Sequence, residues 1–306
     1  MNSSIRAQLA TCVGLVLGFC MSGAAGESDA GFQVIFNGKD LSGWDGNPKF
    51  WSVEDGAITG RTTRDNPTPG NTFIIWRGGT VSDFELRLLY RIIPGDERGF
   101  GNSGIQYRSK DFGNWVVGGY QADIEAGDRY SGILYEERMP RGIMAERGEK
   151  VVWTADGKKQ VVGSTGDPRT IQAAIKKNDW NEYVIIAEGD RLIHKINGHV
   201  TVDVTDNDPQ KRARSGILAF QLHAGPPMTV QFKDIRLKHL TQPKKIVLVA
   251  GGPSHGPGDH EHRAGCLLLA RCLESVPGVT ALVVSNGWPA DVSVFNLSLI
   301  HISEPT

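Results

Sequence analysis

The chain has 306 residues, of which 33 are Lys or Arg and 34 are Asp or Glu, so its formal net charge is −1 at pH 7. This balance gives no reason to expect nucleic acid or an anionic membrane as a partner, because both are attracted by a basic surface. A neutral partner such as a carbohydrate fits better. The four cysteines are Cys12, Cys20, Cys266 and Cys272, so the long segment between them must be stabilised by core burial rather than by disulfides.

The N-terminal residues 1–26 have the pattern of a secretory signal peptide. One early cation, Arg6, precedes a short apolar run that ends at Phe19, and small residues follow it. The run falls short of the about 20 apolar residues of a membrane span, so we predict no membrane span and an extracytoplasmic location, either periplasmic or secreted. Cys20 offers lipoprotein acylation as an alternative, which the bulky Phe19 disfavours.

Residues 32–240 consist of short alternating segments separated by turns, and alternation of apolar residues is typical of half-buried strands. The clearest strand is predicted at 83–92. Asn197 and Gly198 predict a tight hairpin turn, residues 167–177 predict one helix, and a change of phase predicts a bulge near Lys233 or Asp234. Many strands with one helix predict an all-β fold, namely a two-sheet antiparallel sandwich.

The pattern changes after residue 243. A continuous apolar run at 245–250, a helix at about 260–273 and a second apolar run at 279–284 predict one βαβ unit. One unit cannot cover both faces of a parallel sheet, so residues 241–297 are predicted to be an incomplete α/β domain. The last nine residues, 298–306, resemble the translation of a sequencing adapter, and we interpret them as foreign.

Three predicted strands carry hydrogen-bonding side chains two positions apart, which places them on one face. These are Gln106 with Arg108, Gln121 with Asp123 and Glu125, and Gln221 with His223. If the strands are neighbours, their side chains form one surface suited to the hydroxyl groups of a sugar. Glu136 and Arg147 in the following loops are expected to close over it, and Trp44 is available to stack on a sugar ring.

Each of these residues also has a simpler interpretation. Polar residues opposite an apolar face are usually solvated, Trp44 fits a core position, and His223 fits a structural role. His194 and His199 flank the predicted hairpin and are expected to face solvent. A further acidic cluster offers oxygen ligands for a divalent cation such as calcium, although such a cluster is more often a turn; its members are Asp203, Asp206 and Asp208.

Several motifs in fixed order carry a family resemblance. They are FNGKDLSGW at 36–44, WSVEDG at 51–56, GNSGI at 101–105, WNEY at 180–183, Asn197 with Gly198, and FKDIR at 232–236. Residues 32–240 thereby resemble the 3-keto-disaccharide hydrolase family. The resemblance implies a concanavalin- or laminin-G-like jelly-roll β-sandwich that acts on 3-keto-glycosides.

A second resemblance covers residues 245–290. The segments VAG at 249–251, SHG at 254–256 and HEH at 260–262 are similar to the start of a ThuA-like domain, a trehalose-utilisation relative. This resemblance implies a truncated flavodoxin-like α/β domain after the sandwich.

The sequence thus favours an enzyme that cleaves 3-keto-glycosides. A ketone at C3 acidifies the C2 proton, so a base can remove it and the C1 substituent can leave before water adds. We expect His223 or Asp123 as the base and Glu136 as the acid; the expected binding residues are Gln106, Arg108, Gln121, Glu125, Arg147, Gln221 and Trp44. Direct hydrolysis by Asp123 with Glu125 or Glu136 is an alternative. The competing class is a lectin-like, non-catalytic carbohydrate-binding module.

Overall fold

The structure is a computed structural model that describes residues 30–240, 244–252, 256, 261–273, 276, 279–295 and 298–303. The predicted signal peptide, with Cys12 and Cys20, lies outside these residues. Among the residues that are described, no helix has the length and apolar character needed to cross a membrane.

The described residues are mainly β-strand. In chain order the strands are β1 Gln33–Val34, β2 Trp44–Gly46, β3 Trp51–Glu54, β4 Ala57–Thr62, β5 Thr72–Trp76, β6 Phe84–Pro94, β7 Asn102–Asp111, β8 Val117–Glu125, β9 Leu134–Glu137, β10 Gly142–Ala145, β11 Glu149–Trp153, β12 Lys159–Ser164, β13 Asn181–Glu188, β14 Arg191–Ile196, β15 His199–Asp206, β16 Ile217–Leu222, β17 Met228–His239, β18 Lys244–Val249, β19 Val279–Val284 and β20 Ser298–Ser303. The helices are α1 Pro168–Ala173, α2 His262–Leu273 and a 3₁₀ turn at Val292–Phe295.

Two sheets form the sandwich. The ten-stranded sheet runs β12-β11-β15-β14-β13-β6-β17-β4-β3, with β1 beside β17, and the seven-stranded sheet runs β10-β9-β8-β7-β16-β5-β2. Every pair is antiparallel except β11 with β15, which is parallel. The predicted all-β sandwich is therefore confirmed, with one departure from a purely antiparallel arrangement, and it is consistent with a jelly roll.

The core lies between the two sheets, where the long strands bury one row of apolar side chains. Along β6 the burial alternates strictly between buried and half-buried residues. Phe220 of the seven-stranded sheet stacks on Phe232 of the ten-stranded sheet, with ring centroids 4.1 Å apart. Truncating a buried aromatic of this kind to Ala typically costs about 3–5 kcal/mol, so this contact is expected to be a main stabiliser of the sandwich.

The local predictions agree with the structure at three places. Asn197 and Gly198 have φ angles of 47° and 82° between β14 and β15, as a type I′ turn requires. Pairing of β17 with β6 shifts register between Lys233 and Arg236, which is the predicted bulge. Helix α1 begins after Asp167, whose side chain accepts the Thr170 N–H at 2.9 Å, but it ends at residue 173, four residues before the predicted end.

A separate three-stranded sheet follows the sandwich. Strand β18 pairs in parallel with β19 and with β20, and α2 lies between β18 and β19 in the chain. Residues 298–303, interpreted above as foreign, form β20. The ThuA-like resemblance and the domain boundaries stay predictions.

Candidate functional site

The three polar strands of the sequence analysis are neighbours in the seven-stranded sheet, in the order β8-β7-β16. Gln106 lies opposite Gln121, and Gly104 lies opposite Asp123. Because the intervening residue Ile105 belongs to the core between the sheets, these polar side chains occupy the opposite face. The structure therefore brings Gln106, Gln121 and Asp123 together on the outer face of this sheet.

A cavity of about 260 Å³ lies on this face. Its walls come from strands β7, β8, β9 and β10, from the loop after β8, and from the residue that follows β16. The lining residues are Asn102, Gln121, Asp123, Tyr130, Ile133, Tyr135, Glu137, Ile143 and His223. The cavity combines carboxyl, amide, phenol and imidazole groups with two isoleucines, a mixture suited to a polar ring with one less polar side.

A row of hydrogen bonds leads to Asp123 from beneath the cavity. The Ser109 hydroxyl lies 2.8 Å from Oε1 of Gln106, whose Nε2 donates to Oε1 of Gln121 at 2.5 Å. Nε2 of Gln121 in turn donates to Oδ1 of Asp123 at 2.5 Å. Space for this row depends on Gly104, where an added Cβ would lie 2.5 Å from the Gln121 side chain.

Asp123 is the most strongly perturbed carboxyl at the cavity. It is 6% exposed, and burial raises its pKa well above the usual value. The hydrogen bond from Gln121 lowers the pKa, and the nearby carboxylates of Glu137 and Glu125 raise it. Burial and like charge disfavour the ionised form, so Asp123 is a neutral carboxylic acid over a pH range in which an exposed aspartate is ionised.

A hydrogen bond to the backbone defines the tautomer of the neutral His223 ring. Its Nδ1 lies 2.6 Å from the carbonyl oxygen of Ala224. Because a carbonyl only accepts, Nδ1 must carry the hydrogen, and the lone pair of the neutral ring is then on Nε2. The ring also contacts Phe100, with centroids 5.9 Å apart. This tautomer is suited to a general base whose accepting atom is Nε2.

Gln221 has an unusual environment on the same face. It is fully buried, and within the described part of the chain neither Nε2 nor Oε1 of its side chain has a hydrogen-bond partner. It pairs with Phe73 of β5, beside a small apolar cluster. A buried amide without partners costs about 1–3 kcal/mol, and Gln221 does not line the cavity.

Glu125 and Arg147, expected as substrate-binding residues, instead hold the loop at 126–131. Oε2 of Glu125 accepts the backbone N–H groups of Arg129 and Tyr130 at 3.0 and 2.7 Å. The Arg147 guanidinium donates to the carbonyls of Asp128, Arg129 and Ser131. Neither side chain lines the cavity. They fix the loop that carries Tyr130 into the cavity wall.

Glu136, expected as the catalytic acid, lies on the opposite face of its strand. It pairs with Tyr120 across β8 and β9, and it accepts from Arg141 at 2.7 Å. Arg141 also binds Asp206 at 2.9 Å, and all three side chains are at most 3% exposed. The structure therefore does not bring Glu136 to the cavity of Asp123, because its charge pairs with Arg141 in a buried network.

Arg108 and Trp44 are also corrected. A register shift after Tyr107 and a φ of 47° at Arg108 break the alternation of β7, and its guanidinium binds Asp83 and the carbonyl oxygen of Ser82. Trp44 is 7% exposed and stacks on Phe220 at 4.9 Å within the core. Neither side chain reaches the cavity.

The aspartates suggested as calcium ligands instead lie beside basic side chains of the protein. Asp203 pairs with Arg191 and Asp206 with Arg141, while Asp208 lies 3.4 Å from the Lys211 amine. Among the residues that the structure describes, no group of three or more His, Cys, Asp or Glu is arranged to hold a metal ion.

Sequence reasoning missed Glu137, Tyr135, Tyr130, Asn102 and both cavity isoleucines. Tyr135 lies opposite Gln121, and Glu137 lies opposite Gly119, so both share the face of Asp123. Alternation within the short strand LYEE separates Tyr135 and Glu137 from Glu136, but it does not show which set faces the core. Asn71 donates to Glu137 at 3.2 Å and comes from a loop that no sequence pattern singled out.

Comparison with known protein families shows which family the chain belongs to. A family model described as "3-keto-alpha-glucoside-1,2-lyase-like domain" matches residues 31–238. The chain belongs to this family. Membership in the 3-keto-alpha-glucoside-1,2-lyase-like family makes this a carbohydrate-active protein, and the match covers the whole sandwich.

Comparison with curated proteins found no match. Among solved structures, the chain is similar to a Parabacteroides distasonis protein provisionally described as a glycosyl hydrolase, with 16% identity, coverage of 68% of this chain and 99% of that one, and a TM-score of 0.45. It is also similar to the carbohydrate binding module CBM66 from Bacillus subtilis, with 19% identity, coverage of 64% and 95%, and a TM-score of 0.42. At these values the likenesses add nothing to the family match.

Proposed function

We propose that the protein cleaves 3-keto-glycosides by removing the C2 proton of the keto sugar and expelling the substituent at C1. The observation that carries this proposal is the pairing of an imidazole and a buried carboxyl in one cavity. His223, with its accepting Nε2, and Asp123, with its raised pKa, both line the cavity on the outer face of the seven-stranded sheet.

His223 is the base in this mechanism. The C3 ketone makes the C2–H bond acidic, and Nε2 takes the proton while the electron pair forms the enolate. A neutral imidazole accepts a proton at the ring nitrogen that carries the lone pair, which here is Nε2. The Ala224 carbonyl oxygen stabilises the resulting imidazolium, because Nδ1 keeps its hydrogen throughout.

Asp123 is the donor to the enolate oxygen. A neutral carboxylic acid in a buried site donates a hydrogen bond that strengthens as negative charge develops on the acceptor, the role that apolar sites can give to a protonated aspartate. The enolate then reforms the ketone and expels the C1 oxygen with its electron pair. The His223 imidazolium returns its proton to that oxygen and becomes neutral again, and the carboxylate of Glu137, the second carboxyl of the cavity, lies on the same face to take a proton from the attacking water and pass it to C2.

Water then adds across the C1–C2 double bond to give the free keto sugar. The cavity volume of about 260 Å³ is below the roughly 300–1,000 Å³ of pockets that enclose a drug-sized ligand. One sugar ring therefore fits inside, and the C1 substituent extends towards solvent.

The test is release of the C1 substituent from a 3-keto-glucoside by the full chain and by three variants. We expect turnover by the wild type and a loss of about 10²- to 10⁴-fold in kcat for His223→Ala and for Asp123→Ala. The control is His199→Ala, since His199 is exposed on the hairpin, and it should match the wild type. Unchanged rates in both site variants would reject this site, and binding of the sugar without release would identify a carbohydrate-binding module instead.

A further inference from the structure

Two side chains of the polar face have no direct role in the proposed mechanism. Gln106 is fully buried and Ser109 is 3% exposed, and neither lines the cavity. Both nevertheless belong to the hydrogen-bonded row that ends at Asp123. Buried polar groups of this kind are costly unless they are fully connected, so the row invites a functional explanation.

The row has a direction. The Ser109 hydroxyl lies 2.8 Å from Oε1 of Gln106, 3.0 Å from the carbonyl oxygen of Tyr107 and 3.3 Å from that of Tyr120. In the structure Oε1 of Gln106 faces this hydroxyl, Nε2 of Gln106 faces Oε1 of Gln121, and Nε2 of Gln121 faces Oδ1 of Asp123. Oδ1 is then an acceptor, so the carboxyl proton is on Oδ2.

Reversing the direction of the hydrogen bonds would move the carboxyl proton of Asp123 to its other oxygen. If both amides were rotated, Ser109 would accept from Gln106, and Oε1 of Gln121 would face Oδ1 of Asp123. The carboxyl proton would then lie on Oδ1 and be donated back into the row. The two directions of the row therefore correspond to two positions of one proton, and only the first leaves the proton on the oxygen that the row does not occupy.

We propose that Gln106 and Ser109 are positioning residues, which hold the Gln121 amide so that Asp123 keeps its proton on Oδ2 for donation to substrate. This inference rests on the proposed function, because it explains how the donor of that mechanism is kept in its donating form. The direct contact with the carboxyl is made by Gln121, and the two residues beneath act through it.

Other ionisable groups face Asp123 and must be held constant in a test. Glu125 is on the same strand, and Glu137 and Tyr135 are on β9. The carboxylates of Glu137 and Glu125 raise the pKa of Asp123, whereas the Gln121 hydrogen bond lowers it. The remaining groups at the cavity are Tyr130 and His223. A variant that changes only Gln106 or Ser109 leaves all of these in place.

The experiment compares Gln106→Met with Gln231→Met. Gln231 is a matched control, since it is a buried glutamine on the other sheet whose amide bonds Arg91 and Thr59. Two readouts are needed: the pH profile of kcat and KM with a 3-keto-glucoside, and the titration of the Asp123 carboxyl followed by ¹³C NMR in the ligand-free protein.

We expect Gln106→Met to move the Asp123 titration to higher pH, because the donor that lowers its pKa is no longer held. We also expect kcat to fall about tenfold, the effect of one displaced hydrogen bond of about 1.4 kcal/mol, with KM nearly unchanged. Gln231→Met should alter neither readout. Ser109→Ala, a smaller change at the far end of the row, should give the same shifts with smaller size, and it replaces Gln106→Met if that variant does not fold.

An Asp123 titration that is the same in wild type, Gln106→Met and Ser109→Ala would overturn the positioning role. The NMR titration needs no substrate, so it separates the two proposals. A wild type that releases nothing from the 3-keto-glucoside while the titration shifts as expected would reject the proposed function and retain the row as the device that sets the protonation of Asp123.

Discussion

Because the carboxyl of Asp123 has different pKa values in the folded and unfolded chain, it makes the stability of the protein depend on pH. Burial raises its folded-state pKa above the ordinary 3.8, so above pH 4 the unfolded chain releases a proton that the folded chain retains. The contribution of this group to stability is complete below the unfolded pKa and is lost as pH rises through the folded pKa.

We therefore predict that Asp123→Asn, which cannot ionise, gains stability over the wild type as pH rises. Thermal unfolding of both proteins at pH 4 and pH 7 measures this. The difference in Tm, variant minus wild type, should be more positive at pH 7. An equal difference at both pH values would show that folding does not raise the pKa of Asp123.

Gln221 gives a second prediction at the level of one residue. Its buried amide has no partner among the described residues, so Gln221→Met removes a desolvation cost and should raise the free energy of unfolding by up to about 2 kcal/mol. The same change should lower kcat/KM for a 3-keto-glucoside about tenfold, since stability is commonly sacrificed at functional groups.

Denaturant unfolding and steady-state kinetics check the Gln221 prediction. Gln231→Met is again the control, because that amide is hydrogen-bonded and its loss should destabilise the protein without affecting turnover. A destabilised Gln221→Met protein with normal kinetics would show that the Gln221 amide is an ordinary part of the core.

Two adjacent glutamates of strand β9 point to opposite faces of the sheet and are expected to have different roles. Glu136 faces Arg141 and Asp206, whereas Glu137 lines the cavity. We predict that Glu136→Gln lowers the free energy of unfolding by about 3 kcal/mol, because removing one partner of a buried ion pair leaves charge uncompensated. Glu137→Gln should instead lower kcat and leave Tm within a few degrees of the wild type.

Urea unfolding and the 3-keto-glucoside assay, applied to both variants, distinguish the two roles. Each variant is the control for the other, since the substitutions are chemically identical and one position apart. If Glu136→Gln lost activity without losing stability, the assignment of the two faces of β9 would be reversed.

Strands β7, β8 and β9 show how much of the candidate site can be predicted from the sequence. Alternation identified Gln106, Gln121 and Asp123 as one face, because strands β7 and β8 are long and regular there. It failed at Arg108, where a bulge interrupts β7. Glu136 was expected in a loop, whereas it lies in the short strand β9 and faces away from the cavity. A shift of one residue reverses every side chain in a strand, and tertiary packing alone sets that shift.

On the scale of the whole molecule, the cavity lies on the outer face of the seven-stranded sheet, and the inner face of that sheet packs against the ten-stranded sheet. His194 of the ten-stranded sheet lies 2.8 Å from the hydroxyl of Tyr107 in the seven-stranded sheet and 3.5 Å from that of Tyr183. It was expected to face solvent, yet it is fully buried. The hairpin sequence showed the turn and not the packing of its strands, so the contact between sheets was not predictable.

Burial lowers the pKa of His194 from 6.5 to about 3. Below pH 6.5 the unfolded chain binds a proton at this ring that the folded protein excludes. Stability from this group is therefore complete above pH 6.5 and is lost as pH falls towards 3. The loss amounts to about 2 kcal/mol at pH 5, from about 1.4 kcal/mol per pH unit.

We predict that His194→Gln, which does not titrate, is less stable than the wild type at pH 7 because the Tyr107 contact is weakened. Its free energy of unfolding should fall less steeply between pH 6.5 and 4. Urea unfolding of both proteins in an Asp123→Asn background measures the difference, because that background removes the opposing titration at the cavity. Parallel pH profiles would show that protons enter His194 without separating the sheets, and acid unfolding would then have to begin at another group.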